Sequence, residues 1–137
     1  MQEYITNSFK ETQKLGELLA MELKGGKVIC MEGDLGAGKT TFTQGLLKGL
    51  KVKGPYTSPT FVVMKEYKKK DKNIYHIDAY RINENDLLNL GWEELISNPK
   101  NIIIVEWSER VKKILPKDSI KIKFDWVDEQ QRKITFE

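Results

Sequence analysis

Eight residues constrain this chain more than any other feature: Gly33-Asp34-Leu35-Gly36-Ala37-Gly38-Lys39-Thr40. They follow the apolar run Val28-Ile29-Cys30-Met31, which suits a strand buried on both faces of a sheet. After them, Phe42, Leu46, Leu47 and Leu50 recur at helical spacing, although Gly45 and Gly49 weaken that pattern. Strand, glycine loop, helix is the required setting for the phosphate-loop pattern of Gly, four residues, Gly-Lys-Ser/Thr. It commits the chain to an α/β architecture.

Glycines suit such a loop because it must wrap an anion with its own amides, at backbone angles and close approaches that a Cβ obstructs. The following helix adds partial positive charge at its N-terminus. Lys39 is expected to bridge the β- and γ-phosphates of a triphosphate, Thr40 to ligate Mg²⁺ and Thr41 to donate to the α-phosphate. No Asn-Lys-x-Asp stretch appears, which argues against guanine.

The rest of the chain reads as one mixed α/β layer structure. Ser8 with Glu11 is a capping-box signature for a helix carrying Leu15, Leu18, Leu19 and Leu23, stopped by Gly25-Gly26. Residues 51–61 hold two prolines and a glycine and read as a loop containing Ser58 and Thr60. Phe61 to Tyr67 and Ile74 to Tyr80 read as a hairpin whose lysine-rich tip (Lys68, Lys69, Lys70, Lys72) is a solvated turn rather than an RNA site. A helix over Glu84 to Ile96, a buried strand over Asn101 to Glu106, a short helix over Ser108 to Leu115 and a hairpin of Ser119 to Trp126 with Arg132 to Phe136 complete the pattern. With 137 residues and no linker or repeat, a single domain over 1–137 is expected. The net charge of +3 does not announce a nucleic-acid or membrane-surface binder, and the single cysteine, Cys30, excludes a disulfide framework. Without a signal-like N-terminus or an apolar run near the roughly 18 residues a membrane span needs, a cytoplasmic protein is expected.

Turnover of a bound triphosphate calls for a carboxylate near the metal. Glu106 stands at the carboxyl end of a buried strand, where ligands sit in open α/β sheets; its bland alternative is an acid capping the next turn. Asp78 lies within His76-Ile77-Asp78-Ala79-Tyr80-Arg81, with a salt bridge to Arg81 as the alternative role. His76, the lone histidine, reads first as a packing residue. Trp92, Trp107 and Trp126 read as packing, with a nucleotide or partner contact open to Trp107. Ser58 and Thr60 occupy a loop of the kind in which nucleotide switches place a sensing hydroxyl, or a plain proline turn.

Taken in order, the phosphate loop, Thr57-Ser58-Pro59-Thr60-Phe61 with Tyr67, His76 to Arg81, Leu90-Gly91 with Glu93-Glu94, and Val105-Glu106-Trp107-Ser108-Glu109 resemble the TsaE family. These are small bacterial ATPases of the pathway that installs threonylcarbamoyladenosine in tRNA, and the resemblance spans nearly the whole chain. Ser108 stands where the family usually has proline. The resemblance implies a P-loop NTPase-like domain with a mixed sheet flanked by helices. It also implies an ATP- and Mg²⁺-dependent accessory subunit acting with TsaB and TsaD, reaching tRNA only through that complex. By the same resemblance Thr60 falls in the switch-like loop, Asp78 in an acidic motif near the phosphates, and Glu106 in a second acidic motif contributing to the metal. Arg81, Arg110 and Arg132 are the three arginines, and the sequence does not show whether any of them reaches a γ-phosphate. A small P-loop kinase and a nucleotide-gated adaptor with incidental hydrolysis are the competing readings; the first lacks material for an Arg-rich lid.

Overall fold

Ser8 starts the first helix as its sequence suggests. Its hydroxyl accepts from the Glu11 amide at 3.1 Å, while the Glu11 carboxylate accepts from the Asn7 amide rather than from Ser8 itself. In this computed structural model, which describes residues 1–56, 59 and 62–137, α1 spans Phe9–Glu22. The elements fall into two compact units, one of Met1–Leu23, Glu32–Ser58 and Lys121–Glu137, the other of Lys24–Met31 and Pro59–Ile120.

In the first unit, β1 (Gln2–Thr6) pairs antiparallel with β7 (Arg132–Phe136), and β7 pairs antiparallel with β6 (Ile120–Trp126). The sequence pattern does not announce β1, since four of its five side chains are exposed and only Thr6 is buried. Helix α1 buries Thr12, Gly16, Leu19 and Ala20, and Leu23 is buried just after it, whereas Leu18 lies exposed and Leu15 half-buried, so the packed stripe mixes leucines with small residues. That stripe meets α2 (Lys39–Gly49), and the glycines there are a packing device. A Cβ on Gly45 would enter the carbonyl oxygen of Gln13, and one on Gly16 would enter that of Phe42. The two helices therefore approach backbone to backbone. Beneath them Phe42 is fully buried and meets Phe124 edge-on at 5.3 Å between ring centroids.

In the second unit, β2 (Lys27–Glu32) and β4 (Asn73–Asp78) each pair parallel with β5 (Asn101–Glu106), and β3 (Met64–Lys68) pairs antiparallel with β4. This is the expected mixed sheet, and β5, buried along its whole length, is its middle. The predicted helix over 84–96 is two helices, α3 (Glu84–Asn89) and α4 (Trp92–Ser97). Gly91, at φ 90°, is the reason: that left-handed step interrupts the helix and starts α4. Trp92 then packs fully inside with Ile77, Leu87, Ile103 and Val105, its indole donating to the Ile114 carbonyl at 3.0 Å. The expected first strand of the hairpin starts later, at Met64, because Val62 and Val63 both bond back to the Pro59 carbonyl and Val63 takes a φ of 66°. Ser108–Ile114 forms a 3₁₀ helix, η1. Among the described residues no helix is long and apolar enough to cross a membrane.

Candidate functional site

Strand β2 delivers the chain into Gly33, where a Cβ would lie 2.5 Å from the Phe124 carbonyl oxygen, so only glycine passes there. The loop then turns through an Ala37 amide to Asp34 carbonyl bond of 3.1 Å, with Gly36 at φ 79° and Gly38 at φ 106°. Gly38 is also the N-cap of α2 and offers no side chain to its first amides, in contrast to Ser8 on α1 and Asn83 on α3. An anion is the natural partner for amides left in that state.

Asp34, Leu35 and Gly36 form the exposed crest of the loop, and Ala37 is buried. Lys39 is buried at 5% exposure, and its ammonium donates to the Gly33 carbonyl, so the lysine is folded into the loop rather than standing at its surface. Thr40 is exposed and Thr41 half-buried. From the other side, Arg132 at the start of β7 donates from Nε to the Gly36 carbonyl at 2.9 Å and from Nη1 to the carbonyls of Asp128 and Gln131 at 2.5 and 2.9 Å. No sequence motif singles out this contact, since the partners stand 96 residues apart.

The acidic residues are held in the other unit. Asp78 and Glu106 are register partners at the ends of β4 and β5, buried at 7% and 5% exposure. Glu106 Oε2 lies 2.5 Å from His76 Nε2, a short hydrogen bond between the carboxyl group and the ring nitrogen. His76 is thus a packing residue with a defined polar partner, and its Nδ1 is buried without a hydrogen-bond partner among the described residues. Asp78 does not turn to Arg81: its Oδ1 accepts from the Tyr80 amide at 2.9 Å. Just beyond, Trp107 takes φ 57° and its ring lies 4.9 Å from that of Tyr80, over which the Arg110 guanidinium sits at 4.8 Å. Ser108 is compatible with this turn, its hydroxyl donating to the Met31 carbonyl at 3.2 Å. Trp126, by contrast, is exposed. Ser58 and Thr60 lie outside the described residues.

A mixed sheet with helices and a glycine loop of this pattern between β2 and α2 defines a P-loop NTPase-like α/β protein. The crystal structure of Bacillus subtilis YdiB has the same fold, with a TM-score of 0.79 and 32% identity over 98% of this chain and 83% of that one. The family model described as "Threonylcarbamoyl adenosine biosynthesis protein TsaE" matches residues 6–134. Proteins named tRNA threonylcarbamoyladenosine biosynthesis protein TsaE are similar in sequence throughout. That of Aquifex aeolicus is 43% identical over 98% of this chain and 94% of its own, and that of Bacillus subtilis is 38% identical over 93% and 79%. The chain belongs to the TsaE family.

Proposed function

We propose that this chain is the ATP-binding and ATP-hydrolysing accessory subunit of bacterial tRNA threonylcarbamoyladenosine synthesis, acting in the cytoplasm with TsaB and TsaD. The observation that carries this reading is the glycine loop, with its uncapped helix start and its inward lysine, in a chain that belongs to the TsaE family. Gly33 to Thr41 would cradle the phosphates: Asp34, Leu35, Gly36, Ala37 and Gly38 through backbone, Lys39 by its charge, Thr41 at the α-phosphate.

Mg²⁺ fits the available donors. Among the described residues no group of three His, Cys, Asp or Glu side chains stands ready to hold a metal alone. Mg²⁺ ordinarily needs no such cage, taking one or two protein oxygens beside phosphates and water. Thr40 and Glu106 are the proposed protein oxygens. When bound, the ion neutralises charge on the phosphate oxygens. Asp78 is proposed to orient the attacking water, and Thr60 to sense the γ-phosphate. Both carboxylates lie at the carboxyl ends of their strands, the end at which open α/β sheets bind ligands.

The test is a titration with a non-hydrolysable ATP analogue, followed by phosphate release from ATP with the chain alone and with TsaB and TsaD present. Micromolar binding, slow turnover alone and faster turnover with the partners are expected. Absence of binding at millimolar analogue would overturn the assignment.

A further inference from the structure

Among the described residues, the crest of the phosphate loop is open to solvent. Gly36 has open space where a Cβ would sit, and Leu35 beside it is 81% exposed. Yet the peptide unit joining Gly36 to Ala37 is gripped at both ends. Its N–H donates to the Asp34 carbonyl at 3.1 Å, and its C=O accepts from Arg132 Nε at 2.9 Å. Because a peptide is planar with its C=O and N–H on opposite sides, fixing the carbonyl also fixes where the amide points.

The grip is itself anchored. Arg132 is buried at 6% exposure, and its stem runs against Gly38, where a Cβ would lie 3.4 Å from Arg132 Cγ. Its Nη1 reaches two carbonyls of the β6–β7 turn, and that turn is closed by the Asp128 carboxylate, which accepts from the amides of Gln130 and Gln131 at 2.9 and 2.7 Å. All three bonds of the guanidinium go to neutral carbonyls, and no ion pair involves it among the described residues. Its charge is therefore not neutralised at salt-bridge distance, and it acts on the Asp128 carboxylate of the same turn as well as on any anion at the loop.

We infer that Arg132 is the positioning residue of the phosphate loop, pinning the Gly36–Ala37 peptide and with it the turn that leads into the uncapped first amides of α2, and setting a fixed positive charge beside the loop. It touches neither the nucleotide nor the reacting atoms. The inference rests on the nucleotide reading of the loop, and its failure is distinguishable because that reading is judged on the wild-type chain alone.

The experiment compares the affinity of a non-hydrolysable ATP analogue for wild type, Arg132→Met and Arg132→Lys, at a temperature where each is fully folded by circular dichroism. Under that condition a general loss of stability leaves affinity unmoved, whereas a misplaced loop does not. Arg132→Met is expected to bind about tenfold more weakly, and Arg132→Lys, which keeps the charge and one donor but not the fork, about threefold. Wild-type affinity in Arg132→Met overturns the inference, as does a loss in Arg132→Lys equal to that in Arg132→Met. If the methionine variant does not fold, the lysine variant decides alone: the threefold loss supports the role and wild-type affinity overturns it. A wild-type chain that fails to bind the analogue refutes the nucleotide reading itself.

Discussion

Lys39 already bonds the Gly33 carbonyl within the loop, so its removal touches both the fold of the loop and the ligand. Charge-assisted bonds contribute roughly 1.5 to 3 kcal/mol each. Lys39→Ala is therefore expected to weaken ATP-analogue binding at least tenfold while the far-UV spectrum stays native; unchanged affinity would remove Lys39 from the site. The two carboxylates are proposed for different work. Glu106→Gln keeps the shape but loses the charge, so nucleotide affinity should depend less on Mg²⁺, whereas Asp78→Asn should bind normally and turn over more slowly. Titrations at several Mg²⁺ concentrations beside single-turnover phosphate release separate the two, and the reverse pattern would exchange the roles. The positions of the glycine loop and of Glu106 were legible at this scale because each is announced by an apolar run before it, whereas Asp78, read as lying mid-strand between Ile74 and Tyr80, ends β4 instead. The partners of those residues were not legible. His76 stands 30 residues from Glu106 and Arg132 stands 96 from Gly36, and no local pattern encodes a side chain reaching across such separations.

Among the elements, β2 and β5 follow from continuous apolar runs and α2 from helical spacing, while β1 does not follow from its sequence, because an exposed edge strand has no buried face to imprint on it. Gly45 shows the converse: its low helix propensity suggests a weak helix, yet the residue is what lets α1 and α2 meet. Gly45→Ala is expected to destabilise the protein by about 1 to 3 kcal/mol, an overpacking cost, read as a lower midpoint in urea unfolding. A gain in stability, as intrinsic propensity alone would give, would disprove the close approach. The β6–β7 turn carries a pH signature. Backbone bonds from Gln131 and then Gln130 hold the Asp128 carboxyl below its ordinary value of 3.8, with Arg132 adding a smaller pull. A lowered folded-state value means that the carboxylate stabilises the turn above the unfolded value and that this contribution is lost as pH falls through the folded one. The stability gap between wild type and Asp128→Ala should accordingly be constant near neutrality and close below about pH 4. A gap that widens on acidification would contradict the turn assignment.

For the whole molecule, the family and the α/β class were legible because motif order along a chain survives even when contacts are hidden, and the comparisons over nearly the full length agree. The proposed role goes further, to a subunit whose ATP cycle serves a modification carried out by its partners. Coupling of that kind requires ATP and ADP forms to differ in affinity for the TsaB and TsaD pair, and the pair in turn to alter nucleotide affinity by the same factor. Thr60 is the proposed sensor, so Thr60→Ala should reduce the difference between the two nucleotide states in a binding assay with the pair. The most direct test is formation of threonylcarbamoyladenosine on tRNA in a reconstituted reaction with TsaB and TsaD, run without this chain, with wild type and with Lys39→Ala. Modification that continues over many turnovers only with wild type and ATP is the expected result. Equal modification with Lys39→Ala, or with no chain added, would contradict an ATP-driven accessory role.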